Sequence, residues 1–279
     1  MGQRKAKILS FKRGDGEKER ANKKVKSSQF DYGWLLVIIV AILFIFLIAT
    51  NPDPYLRIFL FVRDGIVVTI TVTTISFCLT IIVGLIGGLG RSSKNKVIFG
   101  IAALYVELVR GIPLLVQLIW WYFAFPVVLH SIGEGLGIQA LANYKANPIA
   151  MAVIGLTVCY GAYMSEIVRA GIQSVPVGQI EAARSVGMTY FQSMRFIVLP
   201  QAIKVILPPI GNEFVAMLKD SALVSVVAVA DLTRRGREFM SQNFNPIEVW
   251  TLVALIYLLM TLFSARMVVW LEKKSETSE

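Results

Sequence analysis

The sequence predicts an all-α membrane protein with six transmembrane helices. Of its 279 residues, 56% are hydrophobic and only 16% are charged, whereas soluble domains usually carry about 25% charged residues. Several apolar stretches exceed the roughly 18–20 uncharged residues that cross about 30 Å of hydrocarbon. These stretches lack the alternation of a β-barrel strand, so helices are the expected way to satisfy their backbone hydrogen bonds in lipid.

Six segments are expected to span the membrane, separated by loops that alternate between its two sides. The spans are 34–50, 66–90, 98–126, 148–173, a broken span within 197–230, and 249–271. The loops expected on the outside are 51–65, 127–147 and 231–248. In the second span Gly84 and Gly88 form a small-xxx-small face, which predicts close packing against another helix.

The charge distribution predicts the orientation. Ten basic and only three acidic side chains fall within residues 1–26, and an excess of basic residues marks the cytoplasmic side. The N-terminus is therefore expected in the cytoplasm, and six spans bring the C-terminus to the same side. Residues 1–32 are interpreted as a basic tail held near anionic lipid rather than on nucleic acid, and residues 33–279 as the transmembrane domain.

Composition also excludes several kinds of chemistry. Cys78 and Cys159 both lie in apolar stretches, where they are expected to pack as small hydrophobic side chains. The only histidine, His130, falls in an expected loop, so neither a zinc site nor a histidine-activated nucleophile is predicted. The sequence contains no G-x-x-x-x-G-K-[ST] loop for nucleotide phosphates. We therefore expect no metal site and no cofactor in this chain.

The expected cytoplasmic loop between the fourth and fifth spans, residues 174–200, is long and is not the polar, low-complexity sequence of a simple linker. Pro176 suits the first turn of a helix, Glu181 complements the helix dipole, and Gly187 offers a stop. A short helix of this kind can insert into a groove on another protein. On physical grounds alone, a helix lying on the membrane surface is an equal alternative.

The same loop carries a long motif that resembles a known family. Glu181-Ala182-Ala183, then Gly187, then residues 197–200 match every fixed position of the pattern EAA-x3-G-x9-I-x-LP. This pattern is the EAA loop of permease subunits of bacterial ABC importers. The resemblance implies that the loop contains the coupling helix, which sits in a cleft of a separate ATP-hydrolysing subunit.

The resemblance covers about residues 63–273 and is similar in detail to permeases for polar amino acids, the histidine, glutamate, glutamine, arginine and opine group. It is carried by residues 106–117, 163–172, 207–214 and 218–223. Ala222 stands where that family usually has a small hydroxyl residue, which removes one side-chain hydrogen bond. The basic tail and the span 34–50 are additional to the five-span core of the family.

This resemblance implies a permease subunit of an ATP-driven importer in the bacterial cytoplasmic membrane, and not an enzyme in itself. The implied partners are ATPase subunits that bind ATP and magnesium, a second copy of the permease or a homologue, and an extracytoplasmic amino acid-binding protein. Nucleic acid is not among them. A secondary transporter driven by an ion gradient is the alternative, although it leaves the loop 174–200 without a function. The sequence leaves open whether the dimer is homomeric.

Two pairs of charged residues within the spans are predicted to be structural, with direct contact to the substrate as the alternative. Glu107 with Arg110, and Glu166 with Arg169, each stand three residues apart, the spacing of a side-chain pair on one helix. A charge at the bilayer centre costs at least about 2.5–3.5 kcal/mol, so a paired arrangement is expected.

A second set of polar residues is predicted to line the substrate pathway. Glu213 and Asp220 are seven residues apart, which puts them on one helix face about 10 Å apart, and Asn212 precedes them. Pro208 and Pro209 are expected to interrupt the helix, as in many transporter binding sites. The carboxylates would face an ammonium group or a cationic side chain, which favours arginine, lysine or histidine. A salt-bridged structural kink is the alternative.

Overall fold

The computed structural model describes residues 32–276, and every regular element within that range is helical. The predicted basic tail therefore lies outside the described residues, apart from its last residue. In chain order the helices are α1 (Tyr32–Thr50), α2 (Pro52–Arg91), α3 (Lys96–Gly111), α4 (Leu114–Ile119), α5 (Phe125–Leu136), α6 (Gln139–Ala142), α7 (Pro148–Gln173), α8 (Val177–Ser185), α9 (Tyr190–Ser193), α10 (Leu199–Asp220), α11 (Leu232–Asn243) and α12 (Pro246–Glu276). Two π-helical turns and one 3₁₀ segment complete the chain: Trp120–Ala124, Met194–Val198 and Ser221–Val227.

Six helical stretches in the described range are long and apolar enough to cross a membrane, which confirms the predicted number. They are Gly33–Thr50, Pro52–Arg91, Leu114–Leu136, Pro148–Gln173, Tyr190–Val227 and Pro246–Lys274. The first, fourth and sixth agree closely with the predicted spans. The other three differ in ways that matter for the site.

The prediction of an external loop at 51–65 is wrong for most of the segment, because α2 begins at Pro52 and, after a kink at Asp53 with φ −105° and ψ 113°, continues as helix to Arg91. Most of the segment is apolar, and its charges are partly paired, since Arg57 lies 3.4 Å from Asp53. Ile58 and Val62 are fully buried in a cluster with residues of α11 and α12. Tertiary packing therefore extends the helix beyond the membrane span.

The predicted span 98–126 is also wrong. Helix α3 ends at Gly111, and Ile112 adopts an extended backbone at φ −106° and ψ 130°. Pro113 explains this, since a proline disfavours helical geometry in the residue before it. The candidate span instead runs through α4 and α5. The first part of the predicted loop 127–147 is therefore helical, and His130 lies in α5 rather than in a loop.

The fifth span is not broken where the prolines predict. Pro208 and Pro209 both lie inside α10, and the helix changes to 3₁₀ geometry only after Asp220. Prolines are tolerated in membrane helices where neighbouring groups compensate for the lost hydrogen bonds. Here α12 packs closely against α10, since a Cβ added to Gly211 of α10 would collide with Val268 of α12.

Helices α2 and α7 form the most extensive helix pair. A Cβ added to Gly84 would collide with Met164, and one added to Gly88 would collide with Val168. The predicted packing role of this small-residue face is therefore confirmed. At the centre, buried residues of α2, α4, α7, α10 and the 3₁₀ segment form one hydrophobic cluster, and the turn between α3 and α4 lies beside it.

Helix α1 is the least integrated of the spans. Only 6% of its apolar window is buried, and it packs mainly on α12 and α2. Edge-to-face aromatic pairs attach it at two points: Trp34 with Phe263, and Phe44 with Phe59. Its other faces are open to the surroundings.

Candidate functional site

A cavity of about 420 Å³ lies between the α3–α4 turn, α7 and α10. Glu213 and Asp220 from α10 both line it, as the sequence predicts, and so does Arg110 from the end of α3. Tyr160 and Tyr163 of α7 contribute aromatic walls. Two carboxylates, one guanidinium and two phenol groups therefore converge on one space.

The carboxylates are positioned by the helix that carries them. Seven residues make nearly two turns of α-helix, so Glu213 and Asp220 project from the same face of α10. The phenol of Tyr160 donates a hydrogen bond to Asp220 Oδ2 over 2.7 Å. Asp220 is also the last residue of α10, so its backbone stands where the helix changes geometry.

The guanidinium comes from Arg110, near the end of α3 and before the turn at Pro113. Arg110 lies over the ring of Tyr163, with 5.0 Å between the guanidinium carbon and the ring centroid. Gln117, which is buried, donates hydrogen bonds of 2.8 Å to the carbonyl oxygens of Val109 and Ile112. These bonds satisfy backbone acceptors that the end of α3 leaves free.

The arrangement suits a small molecule that carries charges of both signs. A guanidinium binds a carboxylate through two parallel hydrogen bonds, and the acidic pair offers sites for cationic groups. Among residues 32–276 no group of three or more His, Cys, Asp or Glu side chains is arranged to hold a metal ion.

Asn212 does not belong to this cavity, which corrects one predicted residue. Its side chain is exposed and is absent from the cavity lining. One residue of α-helix turns the side chain by about 100°, so the neighbour of Glu213 points to another side of α10.

The predicted pair of Glu107 with Arg110 is also wrong. Glu107 lies 3.6 Å from Arg91 at the end of α2, while Arg110 stacks on Tyr163. The spacing in sequence was suitable, but tertiary partners hold both side chains.

Glu166 and Arg169 do contact each other, with 2.7 Å between Arg169 Nη2 and Glu166 Oε2. Glu166 also accepts from Arg91 Nη2 over 2.9 Å. Sequence reasoning missed Arg91 as a partner, because it comes from a helix 75 residues away. Its position as the last, basic residue of a long apolar helix was the available signal.

The loop 174–200 contains the predicted short helix, α8. Ala183 is buried, while Glu181 and Ala182 are exposed, so α8 packs one small residue inward and presents Glu181 outward. Glu181 lies in the middle of α8 rather than in its first turn, so the expected interaction with the helix dipole is wrong. Gly187 ends the helix at φ 83°, and the N–H of Met188 donates to the carbonyl of Ala183 over 3.1 Å. This is a glycine-dependent helix stop.

Two large apolar side chains flank α8 on the surface. Val177 is 67% exposed and Val186 is 78% exposed, and both lie outside the candidate spans. Together with Glu181 and Ala182 they make an outward-facing surface, which we call the α8 face.

On the opposite side of the candidate spans from α8, α11 carries three arginines, Arg234, Arg235 and Arg237. Arg234 and Arg235 lie 3.0 and 2.9 Å from the oxygens of Glu238, and Arg235 also pairs with Asp64 of α2. The hydrogen bond from Arg234, with that from Arg235, holds the pKa of Glu238 below its usual range. Burial raises the pKa of Asp231, whose carboxylate caps α11.

The sequence of this chain is similar to a protein family and to permeases of known transport systems. The family profile described as "Binding-protein-dependent transport system inner membrane component" matches residues 76–277. The chain is 31% identical to the glutamine transport system permease protein GlnP of Escherichia coli over 199 residues, 71% of this chain and 85% of that protein. It is 38% identical to the arginine transport system permease protein ArgU of Corynebacterium glutamicum over 233 residues, 80% of this chain and 73% of that protein.

Solved structures agree with this result. A chain from the "crystal structure of an amino acid ABC transporter with histidines" superposes with a TM-score of 0.68 at 36% identity, covering 81% of this chain and 97% of that one. A chain of the MetNI methionine ABC transporter shares the fold, with a TM-score of 0.62 at 19% identity over 81% of this chain and 98% of that one. None of these relatives supports an ion-gradient-driven carrier. The chain belongs to the family of multi-pass inner-membrane permease subunits of binding-protein-dependent ABC importers.

Proposed function

We propose that this permease imports amino acids and that the cavity between α3, α7 and α10 binds the substrate on its way through the membrane. The observation that carries the proposal is the convergence of Glu213, Asp220 and Arg110 on one space of about 420 Å³. The amino acid substrates named for the relatives GlnP and ArgU support the same class.

The charges of the cavity favour a cationic amino acid. Arg110 suits the α-carboxylate, and one acidic group suits the α-ammonium. A second carboxylate then remains, and an uncompensated charge within the membrane costs at least about 2.5–3.5 kcal/mol. A cationic side chain such as that of arginine or lysine neutralises it, whereas glutamine does not.

The α8 face is proposed to dock an ATPase. It combines exposed apolar residues, Val177 and Val186, with the motif Glu181-Ala182-Ala183 and a helix stop at Gly187. A short helix that presents such a face fits a groove on a partner. The ATPase would bind ATP and magnesium and perform the hydrolysis, so the permease itself catalyses no reaction.

The remaining partners follow from the family. A second permease copy or a homologue would complete the passage, and an extracytoplasmic binding protein would deliver the amino acid. The α8 face, the N-terminus and the C-terminus would lie in the cytoplasm of a bacterium, since Lys273 and Lys274 end the last span and basic residues mark that side.

The proposal is tested by uptake into proteoliposomes that contain the permease with its ATPase and binding protein. Labelled arginine, lysine, histidine, glutamine and glutamate are compared with and without internal ATP. We expect ATP-dependent uptake that is fastest for a cationic amino acid. Uptake that needs no ATP and follows an imposed proton or sodium gradient would contradict the proposal.

A further inference from the structure

Four charged side chains of alternating sign connect three helices at the end of α7 that leads to the loop 174–200. Glu107 of α3 lies 3.6 Å from Arg91 of α2. Arg91 lies 2.9 Å from Glu166 of α7, which is also 2.7 Å from Arg169. We call Glu107, Arg91, Glu166 and Arg169 the charge ladder.

One end of the charge ladder meets the cavity wall. Tyr163 lines the cavity, and Glu166 follows it one turn later on the same side of α7. On α3, Glu107 precedes the cavity residue Arg110 by one turn. Arg110 and Tyr163 stack on each other at 5.0 Å, so both helices reach the ladder directly from the cavity.

The other end meets the loop that contains α8. Arg169 hydrogen-bonds Gln173, the last residue of α7. Ser174 follows, and its hydroxyl donates to the carbonyl of Gly171 over 2.7 Å. From Tyr163 to Gln173 is about 15 Å along the helix, and Glu166 and Arg169 of the ladder lie between these two residues.

Burial ties these side chains to one another. The side chains of Arg91, Glu166 and Arg169 are only 15%, 17% and 27% exposed, whereas that of Glu107 is 74% exposed. A buried charge that loses its partner is strongly disfavoured. A motion of α7 around the substrate must therefore carry Arg91 along or exchange its partners, and the contact of Arg91 with the exposed Glu107 links it to α3.

We propose that Arg91 is a positioning residue that couples the cavity to the α8 face. It bridges Glu107 on the helix that holds Arg110 and Glu166 on the helix that holds Tyr163. Through Arg169 and Gln173 this connection sets where the loop begins. Occupancy of the cavity thereby alters the ATPase rate. This inference rests on the proposed function, namely an ATPase docked at the α8 face.

The experiment measures ATPase activity of the reconstituted complex with and without a saturating cationic amino acid and its binding protein. The readout is the ratio of stimulated to basal rate. For Arg91→Gln we expect this ratio to fall by at least about five-fold, the lower end of usual coupling strengths, while the basal rate and the yield of assembled complex remain. Arg91→Lys keeps a cation between Glu107 and Glu166 and should restore much of the ratio.

Two further variants separate coupling from folding. Arg57→Gln removes a basic residue from the same helix, in a pair whose side chains are 62% and 73% exposed, and should leave the ratio unchanged. Glu107→Gln alters an exposed position and should lower the ratio without affecting assembly, so it decides the matter if Arg91→Gln does not assemble.

The inference is overturned if Arg91→Gln and Glu107→Gln keep the wild-type ratio. It is also overturned if the basal and stimulated rates of these variants fall only as much as the amount of assembled complex falls. The ratio of the two rates would then be unchanged, as expected for a purely structural residue. A wild-type complex without ATP-driven uptake would instead refute the proposed function. A coupled wild type with an unaffected Arg91→Gln variant refutes only the role of the ladder.

Discussion

Glu213 supplies one of the two carboxylates in the cavity. Replacing it tests whether the cavity prefers a cationic amino acid. In Glu213→Gln we expect the KM for arginine uptake to rise about ten-fold or more, because a hydrogen bond to a charged group contributes about 1.5–3 kcal/mol. Uptake of glutamine should change far less. The measurement is ATP-driven uptake of both amino acids at varied concentration.

Asn212→Ala is the matched control, since Asn212 is the neighbouring residue and is exposed outside the cavity. It should leave both KM values near those of the wild type. Equal KM values for arginine in Glu213→Gln and the wild type would argue that this carboxylate has only a structural role.

Glu238 gives a prediction about pH. Its pKa is lowered from the usual 4.5 by Arg234 and Arg235, so the folded state favours the ionised form. The stabilisation is therefore fully present above about pH 4.5 and is lost as the pH falls through the lower, folded value. We expect the Tm of the wild type to exceed that of Glu238→Gln at pH 7, and the gap to narrow as the pH falls below about 4.5. A gap that is independent of pH would contradict this assignment.

For single residues, the sequence predicts which side chains have a function better than it predicts which side chains they contact. Glu213 and Asp220 could be predicted as site residues, because a charge in an apolar span is costly and therefore usually functional. The partner of Glu107 could not, because Arg91 reaches it only once α2 and α3 have packed. Spacing along one helix names the possible neighbours on that helix and says nothing about the others.

Among the elements, α8 depends most on one backbone conformation. Gly187 has φ 83°, and the space that a Cβ would occupy there is open, so a side chain at this position meets backbone strain rather than a clash. A residue with a Cβ costs about 1–2 kcal/mol in this region. We expect Gly187→Ala to loosen the helix stop and lower ATPase retention in pull-down and ATP-driven uptake together, and Gly187→Trp to uncouple hydrolysis from uptake.

Gly178→Ala provides the contrast, because Gly178 lies inside α8 with open space around it and no positive φ. Alanine favours helix over glycine by about 1 kcal/mol, so this variant should keep or improve docking. Loss of docking in Gly178→Ala, or normal uptake in Gly187→Trp, would show that the helix stop is not what positions the α8 face.

Element boundaries show what local patterns can and cannot determine. The end of α3 follows from Pro113, whose effect on Ile112 is local and could have been anticipated. The same residue type at 208 and 209 does not end α10, and α12 packs closely against the next turn, at Gly211. Likewise the first turns of α2 looked like a loop, and burial of Ile58 against α11 and α12 made them helical.

For the whole molecule, α1 is expected to be dispensable for transport. The family profile begins at residue 76, and only 6% of the apolar window of α1 is buried. A variant that lacks residues 1–50 should assemble with its ATPase and retain most of its ATP-driven uptake, with a lower Tm. Assembly without uptake would instead show that the tail or α1 takes part in the transport cycle.

Helix α2 carries a charged contact near each of its ends. Asp64, which pairs with Arg235 of α11, and Arg91, in the charge ladder, stand 27 residues apart on it, about 40 Å by helical rise. A rod that turns about a point within the bilayer moves its two ends in opposite directions. If a partner on the α11 side tilted α2 at Asp64, Arg91 and its contact with Glu166 would therefore be displaced in the opposite direction.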